Sequence, residues 1–375
     1  MSKIALTLRQ HYDYRSLLNA YLDCRQVKRN KKSAIAFETR FERNLYDLMT
    51  QINDGSYNIG RSEVFVVTKP KAREVWAAQF RDRIVHHLVH NDISEYIDRR
   101  LIEDTFSCIK GRGNLAASNR LMQFHRRATN NYDTDCYILQ FDIKNFFVSI
   151  DKAILWSQLE RIVGSKDSSL TAKLLHQIIW NDPTENPIIK PNSNFSLVPT
   201  HKSLWSGSGK KGLPIGNLTS QTASNVYLNG FDHFVKHTLK AKHYVRYVDD
   251  AVILSKNKCY LYECLDAISA YLSVNLGLEI HPDKCSIFPA SQGANFVGFI
   301  HKPWRRYPRN SMVSSAKHVA RNGVKKGECF VSSVNSYLGI MKNSNSYGLR
   351  KSICIDAVVP SIFTCNRNFT KIIKL

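Results

Sequence analysis

Between residues 243 and 254 the chain reads His-Tyr-Val-Arg-Tyr-Val-Asp-Asp-Ala-Val-Ile-Leu, two runs rich in β-branched and aromatic residues that meet at Asp249 and Asp250. The pattern predicts a β-hairpin with two carboxylates at its tip. Side-by-side like charges repel unless a cation lies beside them. Asp is an ordinary turn residue, so a solvated turn is the plain reading. A divalent ion held by carboxylate oxygens, most naturally magnesium, is the functional one. The rest of the chain decides between them.

The 375 residues carry 53 Lys and Arg against 31 Asp and Glu, a net charge of +22, which calls for a polyanionic partner. An anionic membrane would also attract such a chain. No run approaches the roughly 18 apolar residues of a spanning helix, however, and no lipidation signal is visible. Nucleic acid is therefore expected and a membrane is not. The most one-sided stretch, Lys302 to Gly327, has eight Lys or Arg and no acid, and is expected to track a phosphate backbone through Lys302, Arg305, Arg306, Arg309 and Lys317. Hydrophobic residues make up 43% of the chain, enough for a core in two or three domains or subdomains. The N-terminus lacks a secretory pattern, and nine cysteines at irregular spacings fit reduced thiols, so a cytoplasmic protein is expected.

Helical periodicity covers residues 12 to 52, with a strand at Ser62–Thr68 and a returning strand from Arg73 to Trp76. A helix over Asp82–Arg100 contains His86, His87 and His90. It lacks the Glu of a His-Glu-x-x-His metal motif, so these histidines are expected to be structural or to face nucleic acid. Residues 180–211, rich in Asn, Pro, Ser, Lys and Gly, read as a long inserted loop, and a helix follows from Leu218 to Leu239. Tyr137–Ile143 reads as a strand ending in an acid, Asp142. Paired with the Asp249–Asp250 hairpin in one antiparallel sheet, it would bring three carboxylates together. Two divalent ions about 3.5–4 Å apart on such carboxylates activate a 3′-hydroxyl and stabilise departing pyrophosphate.

Three segments in this order resemble the palm motifs of a reverse transcriptase: Phe141-Asp142-Ile143-Lys144-Asn145-Phe146-Phe147, then Gly212-Leu213-Pro214-Ile215-Gly216-Asn217-Leu218-Thr219-Ser220-Gln221, then Tyr247-Val248-Asp249-Asp250. Leu276–Lys284 resembles the motif that follows the paired aspartates, and Asn295-Phe296-Val297-Gly298-Phe299 the primer grip. The resemblance spans about residues 60 to 310. It implies an α+β right-hand polymerase with an antiparallel palm sheet: an N-terminal helical extension at 1–52, fingers at 53–117, a palm at 118–300 and a basic helical thumb at 301–375.

The implied activity is RNA-directed DNA synthesis from deoxynucleotides on a template RNA and primer. Two Mg2+ ions, replaceable by Mn2+, would be held by Asp142, Asp249, Asp250 and the carbonyl of Ile143. Lys284 would protonate pyrophosphate. Lys71 and Arg73 would meet the triphosphate, for which a forked guanidinium is suited. Ile215, Gly216 and Gln221 would border the nascent pair, Phe147 would block a 2′-hydroxyl, Phe296–Phe299 would hold the primer, and Arg112, between two glycines, would contact nucleic acid. Pro214-Ile215-Gly216 replaces the Pro-Gln-Gly of many relatives, and with Ser220-Gln221 resembles prokaryotic or phage-encoded enzymes of diversity-generating retroelements and of anti-phage defence. An aliphatic in place of an amide removes a discriminating contact, which predicts lowered fidelity. About 48 residues follow Gly327, too few for a ribonuclease H domain. An accessory protein, a structured RNA or a second polymerase is expected as partner. An RNA-templated RNA polymerase, which Phe147 argues against, and a catalytically silent nucleic-acid scaffold are the alternatives.

Overall fold

Along most of the chain the β-branched runs form strands and the runs of helical period form helices, in an α+β arrangement. The computed structural model describes residues 8–26, 28–69, 71–323, 329–357 and 363–375. Residues 1–7 of the helical extension, and 324–327 of the basic segment, lie outside them. Two compact units are present, the first from residues 1–103, 143–238 and 267–281, the second from 104–142, 239–266 and 282–375. Among the described residues no helix is long and apolar enough to cross a membrane.

The first unit holds helices α1 (Tyr14–Arg25), α2 (Lys32–Glu38), α3 (Phe41–Asn53) and α4 (Phe80–Asp98), with strands β1 (Glu63–Val67) and β2 (Arg73–Ala77) between α3 and α4. After the second unit's α5 (Asn114–Ala128) and β3 (Tyr137–Asp142) come α6 (Phe146–Ser149), α7 (Lys152–Val163), α8 (Leu170–Trp180), β4 (Ile188–Ile189) and α9 (Leu218–His233). Side-chain caps set several helix starts. Asp13 accepts the Ser16 N–H at 2.8 Å, and Asp151 those of Ala153 and Ile154 at 2.9 and 3.2 Å. The histidines of α4 are packing groups. His86 Nδ1 meets Thr219 Oγ1 at 2.6 Å and His90 Nδ1 meets Thr222 Oγ1 at 3.1 Å, one turn further along α9. Burial holds His86 neutral by lowering its pKa to about 3.

Residues 180–211 depart from the expected loop. Ile188 and Ile189 pair in parallel with Glu63 and Val64, adding β4 to the β2–β1 hairpin. Short 3-10 turns follow at Phe195–Leu197, Thr200–Lys202 and Leu204–Ser206. Trp205 packs edge-on against Trp76 and Phe195, with ring centroids 4.6 and 5.0 Å apart, and Glu74 accepts the Leu204 N–H at 3.0 Å. Two aromatic anchors within a polar stretch hold it in place.

In the second unit, β5 (His243–Tyr247), β6 (Asp250–Ser255), β3 and β7 (Ser286–Pro289) form an antiparallel sheet in the order β5-β6-β3-β7. Helix α10 (Lys258–Leu276) follows β6. Ile138, Val245, Val252 and Leu254 pack with Leu121 and Phe124 of α5 in one core. Strands β8 (Ala294–Phe296), β9 (Phe299–Lys302) and β10 (Arg305–Pro308) make a second small sheet. Helices α11 (Asn310–Gly323), α12 (Cys329–Met341) and α13 (Tyr347–Ala357) then share a core around Val334, Leu338 and Ile353. A terminal hairpin of β11 (Phe363–Cys365) and β12 (Ile372–Lys374) closes that core, an element without an expectation from sequence.

Candidate active site

The hairpin predicted at 243–254 is β5 turning into β6, with Val248 and Asp249 between the strands and Asp250 opening β6. Val248 has φ +58°, a left-handed conformation that a β-branched side chain rarely takes. Arg246 braces it: this side chain is only 1% exposed and its Nη1 donates to the Val248 carbonyl at 2.7 Å. Residues 104–106 cover the outer edge of β5 through backbone bonds on either side of Arg246.

Asp142, the last residue of β3, stands directly opposite Asp250 in the β3–β6 register. Gln140, two residues earlier and so on the same strand face, donates from Nε2 to Asp250 Oδ1 at 3.2 Å and to the Asn295 carbonyl at 2.8 Å. Asp142 pairs with the Lys284 ammonium at 2.7 Å. Burial, reinforced by the charges of Asp249 and Asp142, pushes Asp250 up to about 7, while the Gln140 bond and the charge of Arg309 pull the other way. Among the described residues no three His, Cys, Asp or Glu side chains form a cluster arranged to hold a metal ion. The donor set nevertheless fits a hard divalent cation: the carboxylate oxygens are the preferred ligands of such an ion, and their mutual repulsion is what positive charge relieves. Gln140 and Arg246 were not singled out from the sequence, although strand alternation from Asp142 points to Gln140.

The residues expected at the nucleotide lie in the first unit. Lys71 and Arg73 are exposed at the start of β2. Phe146 is buried while Phe147 is half-exposed, the two rings meeting edge-on at 5.4 Å, and the Phe147 carbonyl accepts the Leu213 N–H at 2.8 Å. The Ile215 carbonyl accepts the Trp76 N–H at 2.8 Å, so the 212–217 segment is tied to β2 and its Ile215 side chain is half-buried. Gly216, at φ +126°, is obligatory: a Cβ there would meet Val75 Cγ1 at 3.0 Å and the Trp76 carbonyl at 3.1 Å. Gln221 is exposed on the first turn of α9. Ile143 bridges to Ile280 through its backbone.

Of the four residues read as a primer grip, Phe296 and Phe299 are buried, at 0% and 3% exposure, and belong to the core. What the turn presents is the backbone of Val297 and Gly298, at φ +41° and +94°. Arg309 fastens this turn, its N–H bonding the Gly298 carbonyl at 3.3 Å and its Nη2 the Asn295 carbonyl at 3.5 Å. Its Nε is buried with no hydrogen-bond partner among the described residues. The other basic residues divide sharply. Arg306 Nη1 donates to Ser118 Oγ at 2.6 Å and Asn119 Oδ1 at 2.7 Å, and its Nε to the Asn343 carbonyl. Arg112 is half-buried, with Nη1 at 3.5 Å from the Thr105 carbonyl. Arg305 is exposed, while Lys302 and Lys317 are half-exposed.

Residues 68–301 match the family model described as reverse transcriptase (RNA-dependent DNA polymerase). The chain belongs to the reverse transcriptase family. The carboxylates, Lys284 and all the proposed nucleotide-facing residues fall inside the matched segment, whereas Lys302, Arg305, Arg306, Arg309 and Lys317 lie beyond it. A putative COX1/OXI3 intron 2 protein of Saccharomyces cerevisiae is 30% identical over 110 residues, which is 27% of this chain and 11% of that protein. Among solved structures, an apo telomerase from Candida tropicalis truncated at its C-terminal domain gives a TM-score of 0.48 at 12% identity, over 66% of this chain and 55% of that one. Telomerase from Candida albicans in complex with a fragment of telomeric RNA gives 0.47 at 11% identity, over 80% and 56%. The chain thus spans about a tenth of the intron protein and little more than half of the telomerase chains.

Proposed function

We propose that this protein copies an RNA template into DNA by adding deoxynucleotides to a primer 3′ end. The observation that carries the reading is the register pairing of Asp142 with Asp250 beside the braced Asp249 tip, inside a reverse transcriptase segment. Fingers, palm and thumb are proposed at about 53–117, 118–300 and 301–375, with residues 1–52 as an extension.

Asp142 and Asp249, with Asp250 and the Ile143 carbonyl, would hold Mg2+. Bound there, the ions supply Lewis-acid activation of the 3′-hydroxyl and charge stabilisation of the leaving pyrophosphate. Lys284, 2.7 Å from Asp142, stands where it could give a proton to that leaving group. The half-exposed Phe147 ring walls off the sugar edge against a 2′-hydroxyl. Lys71 and Arg73 meet the triphosphate, and Ile215, Gly216 and Gln221 border the new pair. The Val297–Gly298 backbone supports the primer strand, and the Arg309 guanidinium that fastens this turn brings a positive charge beside it.

Ile215 with Ser220-Gln221 supports a prokaryotic type with lowered fidelity. Its role would be retroelement sequence diversification or anti-phage defence, with a template RNA and an accessory protein, structured RNA or second polymerase as partners. Purified protein is expected to extend a DNA primer on an RNA template with Mg2+ and deoxynucleotides. Asp249→Asn should lose extension while keeping primer–template affinity within about threefold, since binding rests on basic residues elsewhere. Extension by Asp249→Asn at the wild-type rate would sink the mechanism. Equal use of ribonucleotides by the wild type would replace it with RNA-templated RNA synthesis.

A further inference from the structure

We infer a second nucleic-acid site, separate from the carboxylates, that takes one single-stranded nucleotide at the tip of the β9–β10 hairpin. It rests on the nucleic-acid reading above but needs no catalysis. An open cavity of about 440 Å³ lies there, lined by Trp304, Arg305, Arg306, Lys342, Asn119 and Asn345 among others. That volume is within the ordinary range of small-ligand sites, about 300–1,000 Å³.

Trp304 is 59% exposed, and at φ +51° it is held in the left-handed region, which bulky residues avoid. Its indole stands edge-to-face on Tyr132, centroids 5.7 Å apart. Tyr132 is itself left-handed at φ +71°, as are Asn130 and Asn131 before it. Two strained segments thus present two aromatic rings to one another, an arrangement that costs stability without filling a core. Around the rings the side chains are cationic or amide. Arg305 and Lys342 are exposed. Arg306 is spent within the protein, taking the side-chain oxygen of Asn119 on Nη1 and that of Asn345 on its backbone N–H at 3.1 Å. With their oxygens so used, the two amides offer the cavity donors. A flat ring for a base, two exposed cations for a phosphate and amide donors for base edges are the components of single-strand recognition.

The site is remote from the chemistry within its own unit. β10 has Trp304 at one end and Arg309, whose charge acts on Asp250, at the other, a separation of roughly 15 Å for extended chain. β3 repeats the relation, with Tyr132 in the loop that enters it and Asp142 at its far end.

The test measures fluorescence anisotropy of 12-nucleotide single-stranded RNA and DNA probes on the full-length protein. Trp304→Ala should weaken RNA binding at least about fivefold with no change in salt slope, because stacking releases no counterions. Trp304→Phe should restore most of the loss, and Lys342→Ala should lower the slope by about 0.7. A larger Trp304→Ala effect on the RNA probe assigns the site to template or guide RNA, and a larger effect on the DNA probe assigns it to product. Affinity within twofold of wild type for Trp304→Ala on both probes overturns the site, whether or not the protein extends primers. Binding through Trp304 by a protein that extends nothing would instead remove the polymerase reading and leave the site standing.

Discussion

Two hairpin tips in the second unit use the same backbone device for opposite purposes. At Val248 and at Trp304 a bulky residue sits left-handed, at φ +58° and +51°. Such a conformation costs about 1–2 kcal/mol and persists only where neighbours over-determine it. Arg246 fixes the first through the Val248 carbonyl, and Tyr132 flanks the second. The residues that follow differ completely: two acids after Val248, two arginines after Trp304. The acidic tip gathers carboxylates that repel one another, and the basic tip surrounds an exposed indole with cations. On the proposed reading, chemistry and affinity are lodged at separate turns and should be separable by mutation.

The largest expected effect tests that separation directly. Asp142→Asn should cut primer extension roughly 10³-fold, the loss of several kcal/mol of charge stabilisation, with RNA affinity retained. Lys342→Ala should weaken RNA binding severalfold, and the double variant should show the two effects adding to within about 0.5 kcal/mol, as independent sites do. A coupling well above that, from rapid-quench and anisotropy data on all four proteins, would mean that the two tips act as one site.

Within the basic region the arginines should part company. Arg306→Ala strands Ser118, Asn119 and the Asn343 carbonyl. Ser118 accepts from Arg306 and also hydrogen-bonds Nε2 of His301 at 2.7 Å, a ring that burial holds neutral at a pKa of about 3. Losing this network should destabilise the fold by about 2–3 kcal/mol, read as a lowered urea midpoint, with little change in salt slope. Arg305→Ala should do the reverse, dropping the slope by about 0.7–0.9 at an unchanged midpoint. An Arg306→Ala protein of wild-type stability that lost a full unit of slope would return Arg306 to the phosphate backbone.

What was legible in the sequence was whatever a local pattern encodes. Alternating apolar runs gave the 243–254 hairpin and the strand ending at Asp142, and the register that sets Asp142 against Asp250 follows once the two pair. Side-chain roles fixed by distant partners were not legible. Arg306 reads in sequence as one cation in an acid-free run, and only its meeting with Ser118 and Asn343, far away in the chain, makes it structural. The 180–211 segment looked featureless because its order comes from Trp205 and Glu74 contacts and a two-residue parallel strand, too short to carry a period. His86 and His90 became intelligible through two threonines on another helix.

The smallest effect bears on the shared device itself. Glycine adopts the left-handed region freely but loses more entropy on folding, so Val248→Gly and Trp304→Gly should each stabilise by a net of about 0.5–1 kcal/mol. That corresponds to a rise of roughly 1–3 °C in melting temperature for the intact chain. The functional consequences should diverge. Val248→Gly loosens the turn that places Asp249 and should slow extension a few-fold without touching RNA affinity. Trp304→Gly removes the stacking ring and should weaken RNA binding as Trp304→Ala does, while melting higher than that variant. Matched calorimetry and binding on the three proteins decide it. A lower melting temperature for Val248→Gly would mean that the valine side chain stabilises the tip more than its backbone strains it, and the likeness between the two turns would then be one of angle alone.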